Sequence, residues 1–155
     1  MPGKMVKEFL DKHRVTYESI PHSTAYTAQR TAASAHVTGK DLAKTVMVKI
    51  DERMAMAVLP AARSVDFDLL REATGEPRVT LATEEEFAGM FPECELGAMP
   101  PFGNLYGMDV YVAPELADRE RIVFNAGTHS ELIRLAYEDF ERLVKPKVVA
   151  ISFRA

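Results

Sequence analysis

Three places in this chain hold residue types that could do chemistry. Lys44 stands near the start of Ala43–Ile50, an apolar run that reads as a β-strand. Strand side chains alternate faces, so Lys44 shares one face with Val46, Val48 and Ile50, while Thr45, Met47 and Lys49 take the other. The Val46/Val48/Ile50 face is the expected core face, which sets Lys44 at the inward end of an apolar stripe. An ammonium there is costly unless something negative meets it, as a phosphate would. The plainer alternative is a strand-end lysine whose head reaches water. The second place is Gly97–Gly107, with three glycines and two prolines in eleven residues. Glycine lets a backbone approach a ligand and proline stiffens the loop, so main-chain groups can be preset to read a small group. A purely structural turn is the alternative. The third is Asn125–Ser130, expected to be a strand-to-helix turn whose amides point at a negative oxygen. His129 within it could bind phosphate or shuttle a proton, although alone it reads more simply as an exposed residue of a capping turn.

Several familiar sites are missing. There is no Gly-x-Ser-x-Gly elbow, no P-loop and no dinucleotide glycine fingerprint. Cys94 is the only cysteine, which excludes an intramolecular disulfide and a Cys-rich zinc site. Its neighbours Glu93 and Glu95 disfavour a thiolate, so it is not read as a nucleophile. His13, His22, His36 and His129 lack the helical spacing of metal ligands, which leaves a metal site only to convergence in the fold; no cofactor is expected. Met54 and Met56 read as core or pocket wall.

The elements that must position these residues are legible from periodicity and punctuation. Met5–His13 carries Val6, Phe9, Leu10 and His13 at helical spacing. Thr16–Ile20 alternates and stops at Pro21, as a short strand does. Thr27 is placed to cap a small-residue helix that ends near Gly39. Residues 43–50 and 54–59, joined by a turn at 51–53, predict a β-hairpin that Pro60 ends. Asp66 caps a helix closed at Gly75, and Thr83 with Glu86 forms a capping-box pattern. Residues 108–112 and 121–125 predict two more strands. Ser130 is expected to cap a last helix through Leu132, Ile133, Leu135, Ala136, Phe140 and Leu143, and a final strand runs from Val148 to Phe153. A hairpin among alternating strands and helices predicts a mixed sheet with helices around it.

The composition bounds the rest. At 155 residues, 47% apolar and 27% charged, the chain is long enough for one domain with a real core. The formal net charge of −4 divides into +4 for residues 1–49, −10 for 50–120 and +2 for 121–155. The two ends could fold into a mildly basic face that permits a phosphate-bearing ligand; an ordinary mixed surface is the alternative. No apolar run approaches the roughly 18 residues that span a bilayer, and charges interrupt the N-terminus where a signal peptide is apolar. These features predict a reduced, cytoplasmic protein.

The motifs taken together resemble the YbaK and prolyl-tRNA-synthetase-associated editing domains, which are aminoacyl-tRNA deacylases. The matching stretches are Tyr26–Ala28, Asp41–Val48, Gly97–Gly103 and Ile122–Gly127, in family order across nearly the whole chain. The pairing of a strand-initial Lys-Thr with a Gly-x-x-x-Pro loop some 50 residues later is the more specific signal. The resemblance favours the functional reading of Lys44 and of the glycine/proline loop over the plainer ones.

It implies a single domain over residues 1–155, an α/β (mixed α+β) fold with a curled, barrel-like mixed sheet flanked by helices, and a pocket at the sheet's mouth. The implied activity is trans-editing: hydrolysis of the ester joining a wrong, small amino acid (alanine, serine or threonine) to tRNA, metal-independent and substrate-assisted. The family's lysine falls on Lys44 and its Gly-x-x-x-Pro on Gly97 and Pro101, implied to be catalytic. Tyr26, Thr27, Thr45, Met47, Ala98, Met99, Pro100, Gly127, Thr128 and His129 are implied to bind substrate. The implied partners are a tRNA acceptor end and an aminoacyl-tRNA synthetase, with no membrane and a monomer or homodimer. A non-catalytic module binding aminoacyl-tRNA or a synthetase, and a hydrolase of small esters or amides, are the alternatives.

Overall fold

The fold is built on one long antiparallel hairpin. The computed structural model describes residues 4–21 and 38–154, so the helix expected from Thr27, together with Tyr26, His22 and His36, lies outside the described residues. Strand β1 (Tyr17–Pro21) precedes the hairpin of β2 (Ala43–Ile50) and β3 (Arg53–Pro60), which pairs Lys44 with Leu59 and Ile50 with Arg53. After β4 (Arg63–Val65), β5 (Val79–Leu81) adds antiparallel to β2, β6 (Asp109–Val112) adds parallel to β3, and β9 (Lys147–Val148) adds parallel to β6. That gives a five-stranded sheet in the order β5-β2-β3-β6-β9. A second sheet, β1-β8-β7, is antiparallel and uses β7 (Arg121–Asn125) and β8 (Glu131–Ala136). β4 pairs separately with β10 (Ser152–Arg154). The result is a mixed α+β fold whose sheets curl without closing into a barrel.

Helices begin where side chains can satisfy their free amides. α1 (Lys4–Lys12) turns Val6 and Leu10 inward. α2 (Phe67–Thr74) starts with Asp66 accepting from the Leu69 amide and ends at Gly75, at φ 73°. α3 (Glu84–Phe87) has the full capping box of Thr83 and Glu86. α4 (Pro114–Ala117) carries proline in its first turn, and α5 (Tyr137–Val144) closes on the second sheet.

Three expectations are corrected. Ser130 does not start a helix: Glu131–Ala136 is strand β8, and α5 begins seven residues after Ser130, at Tyr137. The apolar positions 132, 133 and 135 suit helix spacing too, but here Leu132 packs on one side of the strand and Ile133 and Leu135 on the other. β8 is the middle strand, bonded to both β1 and β7, and that pairing outweighs local propensity. The C-terminal strand is two strands on different sheets, because the chain leaves β6 after Val149 and crosses, through buried Ile151, to β4. Finally, the Val46/Val48/Ile50 face is not the main core face. It packs with Leu70 and Tyr111 in a smaller cluster, whereas Ala43 and Met47 face the larger phenylalanine-rich core. Both faces of the hairpin are covered, which is why Ala55–Pro60 is buried without a break.

Phe102 is the hub of the larger core. Fully buried, its ring meets Phe9 of α1 at 6.0 Å, Phe124 of β7 at 5.3 Å and Phe140 of α5 at 5.6 Å, all edge-on. The irregular 97–107 segment is therefore anchored from its middle. A short 3-10 turn at Gly103–Leu105 follows, and a Cβ on Gly103 would come within 2.7 Å of the Met108 carbonyl oxygen, so only glycine fits there.

Candidate functional site

The structure brings the glycine/proline loop and the 125–130 turn together as one clamp. The Glu95 amide donates to the Gly127 carbonyl at 2.8 Å, and the Gly127 amide donates back to the Ala98 carbonyl at 2.9 Å. The His129 amide donates to the Glu95 carboxylate at 2.8 Å, and His129 Nε2 meets the Leu96 carbonyl at 2.8 Å. A carbonyl only accepts, so that ring nitrogen carries the proton. Thr128's hydroxyl first, then the His129 amide, hold the Glu95 carboxyl below its usual range. Gly97 sits at φ +86°, and a Cβ there would lie 3.4 Å from His129 Cε1, so its exposed backbone runs hard against the imidazole. Beyond it Ala98, Met99, Pro100 and Pro101 are buried, which leaves the loop's main chain rather than its side chains to face a ligand.

The second half of the site is a seam between the sheets. Leu42 and Val123 form a parallel bridge, with the Val123 amide donating to Asp41 O at 3.0 Å and the Ala61 amide to Leu42 O at 2.8 Å. Arg119 Nε holds the Asp41 carboxylate at 2.6 Å and fixes the strand's entry. Lys44 stands two residues past the bridge, half-buried, with its ammonium 3.4 Å from the Ala61 carbonyl. Burial pushes its pKa down, and none of the described carboxylates pairs with it. Strand β7 runs from the same bridge through Asn125 into Gly127 and His129, so the seam leads from the lysine strand into the clamp.

The expectations for the turn are corrected in two respects. It joins β7 to β8, so its amides have no helix dipole behind them. His129 is buried rather than exposed, at 6% accessibility, because its ring is the clamp's cross-bar. Thr128 Oγ1 lies 3.1 Å from Ser130 Oγ, a local turn contact. Of the other implied residues, Thr45 is half-buried and Met47 belongs to the main core, both on the face of β2 away from Lys44, while Tyr26 and Thr27 lie outside the described residues.

Two residues of the site do not stand out in the sequence. Glu95 enters there only as a neighbour of Cys94, although an acid two residues before a glycine loop is a candidate latch. Asn125 is a polar residue closing a run of buried apolar ones, and that contrast is the available signal. Cys94 itself is half-buried 3.7 Å from the Tyr106 hydroxyl, and burial pushes its thiol up, a stronger reason for inertness than its acidic neighbours. Among the described residues no group of three His, Cys, Asp or Glu side chains could hold a metal ion, and no helix is long and apolar enough to cross a membrane.

A cavity of about 590 Å³ opens at the other end of the hairpin, among Arg53, Met54, Met90, Tyr106, Met108 and Asp109. Six residues of β2 separate Lys44 from this end, roughly 20 Å at strand rise. Tyr106 and Gly107, the far end of the glycine/proline segment, line it with Met54, whereas none of the residues implied to be catalytic or substrate-binding does.

Comparison with known proteins bears on the family and the fold. Residues 22–143 match the family model described as the aminoacyl-tRNA editing domain. The crystal structure of a hypothetical protein, APE2540, superposes with a TM-score of 0.87 at 19% identity, covering 97% of this chain and all of that one. The crystal structure of a proposed trans-editing enzyme for prolyl tRNA synthetase gives a TM-score of 0.82 at 18% identity, covering 97% and 96% of the two chains. At these identities the likeness speaks for the fold. No curated protein sequence matches the chain significantly.

Proposed function

Because this chain belongs to the aminoacyl-tRNA editing domain family, we propose that it is a trans-acting deacylase. In this reading it hydrolyses the ester that joins a wrong, small amino acid (alanine, serine or threonine) to the 3′ end of a tRNA. The observation that carries the reading is the clamp. Two backbone hydrogen bonds and the His129–Leu96 contact hold the Gly97 main chain at the end of the seam that starts beside Lys44. The like-sized structural neighbour, a proposed trans-editing enzyme for prolyl tRNA synthetase, supports action in trans.

An aminoacyl ester is already activated, so positioning and charge stabilisation can supply much of the rate. Water attacks the ester carbonyl, a tetrahedral oxyanion forms, and its collapse expels the ribose oxygen, which takes up a proton. Lys44 anchors a phosphate of the terminal adenosine, a role suited to a half-buried ammonium with no acidic partner among the described residues. The main chain of Gly97–Pro101 holds the aminoacyl group and orients the water, and Gly127–His129 complete the wall. By the family motif Tyr26 and Thr27 complete the substrate site, while Thr45 and Met47, on the face of β2 away from Lys44, support it from behind. The neighbouring ribose hydroxyl relays the proton, and no metal takes part. A stiff wall of Ala98–Pro101 suits a small side chain. The partners are then the tRNA acceptor end and a synthetase, in the cytoplasm, with the protein a monomer or homodimer.

A deacylation screen over mischarged tRNAs, with Lys44→Ala as control, tests this. Loss of activity in the variant is expected; a wild-type rate in Lys44→Ala refutes the lysine's role. One observation favours a second reading, a non-catalytic binding module: the His129 ring is buried as the clamp's cross-bar, with Nε2–H on the Leu96 carbonyl. Tight binding of a stable analogue with no turnover across the panel would decide for that reading.

A further inference from the structure

Asn125 ends β7 after Ile122, Val123 and Phe124, which are at most 1% exposed. Its carboxamide oxygen is sealed from solvent and accepts no hydrogen bond from the described residues. A buried acceptor left without a donor disfavours folding by about tenfold or more, so such groups are few and call for a reason. Beyond the Leu42–Val123 bridge no ladder joins β2 to β7 among the described residues. Lys44 and Asn125 each stand two residues past that bridge. Both therefore continue the faces that Leu42 and Val123 bury together with Ala61, whose carbonyl meets the Lys44 ammonium. Among the described residues, one end of the seam thus holds a cation without an anion and an acceptor without a donor.

We propose that Asn125 is a substrate-binding residue whose carboxamide oxygen accepts a hydrogen bond from the ribose hydroxyl next to the aminoacyl ester. The assignment rests on the functional reading above. An aminoacylated adenosine offers two kinds of donor near its ester, the α-ammonium and the vicinal hydroxyl. Lys44 repels the first and leaves the second unaffected, because a hydroxyl is neutral. The bond holds the hydroxyl beside the ester with its lone pairs toward the attacking water; as it takes up water's proton, its own proton leaves Asn125 for the departing ribose oxygen. An aspartate at this position would pair with Lys44 and compete with the phosphate; a neutral amide leaves the cation available.

The test is a calorimetric titration of the full chain with adenosine carrying alanine in amide linkage at the 3′ position, and with its 2′-deoxy counterpart. The wild type binds the hydroxyl-bearing analogue about tenfold more tightly. Asn125→Ala, and Asn125→Leu as a variant of similar volume, bind both analogues with the weaker affinity. A gap that survives in the alanine and leucine variants overturns the assignment, as does the lack of a gap in a wild type that deacylates mischarged tRNA. A wild type that deacylates no tRNA fails the functional reading itself, which is a separate result.

Discussion

Replacing Gly97 by alanine separates what the loop's backbone shape does for stability from what it does for the site. At φ +86° an L-residue carries about 1–2 kcal/mol of backbone strain, and the stiffer unfolded chain offsets about 0.4–1 of it. The net loss is about 1 kcal/mol, or a fall of about 2–4 °C in Tm for a chain of this size. Gly75→Ala is the matched control. It has a similar φ of +73° and nothing within 4 Å of where a Cβ would stand, but it caps α2 far along the chain from the clamp. Both variants melt earlier by similar amounts in a calorimetric scan. Only Gly97→Ala also loses deacylation, because its methyl lies 3.4 Å from His129 Cε1 and moves the main chain that faces the ester. A tenfold fall in kcat/KM corresponds to about 1.4 kcal/mol of lost transition-state binding. If Gly97→Ala deacylates at the rate of Gly75→Ala, the main chain at 97 does not touch the reaction.

Lys44→Met removes a half-buried cation that no described carboxylate compensates, so it raises Tm at neutral pH while abolishing deacylation. Burial lowers the folded-state pKa of Lys44, so the unfolded chain holds its proton more tightly. The penalty is present below the folded-state value and fades as pH rises toward the ordinary lysine value, so the Tm gap between wild type and Lys44→Met narrows at alkaline pH. Glu95 is shifted the other way. Its lowered pKa contributes stability above the ordinary glutamate range of about 4.3, lost as pH falls through the folded-state value, so wild type and Glu95→Gln converge in acid melts. Phe102→Ala empties the aromatic hub and costs about 3–5 kcal/mol by denaturant titration; a loss below about 1 kcal/mol means the ring does not anchor the loop.

What could be read from the sequence depended on whether a local cause was enough. The hairpin, the Asp66 and Thr83 caps, the Gly75 stop and the irregular 97–107 segment appear as expected, because each is decided by neighbours a few residues away. Glu131–Ala136 fails that condition: its apolar spacing fits a helix, and only the flanking strands β1 and β7 make it a strand. The same error hid the burial of His129, since a turn between two strands folds back where a helix cap would project. The two-sided burial of β2 was invisible for a similar reason, because its second cover comes from α2 and β6, far along the chain. For the site, the motif residues Gly97 and His129 do meet, while the latch of Glu95 and the orphan oxygen of Asn125 needed three dimensions.

The ring of Phe102 ties accuracy to fold integrity. On the proposed reading, the loop that holds the amino acid hangs from a side chain wedged among the first helix, a strand of the second sheet and the last long helix. Warming that loosens either helix therefore blurs discrimination before the protein melts. Reshaping the loop without unseating the core is confined to the exposed Leu96 and Gly97, because Ala98 and Met99 just beyond them are buried.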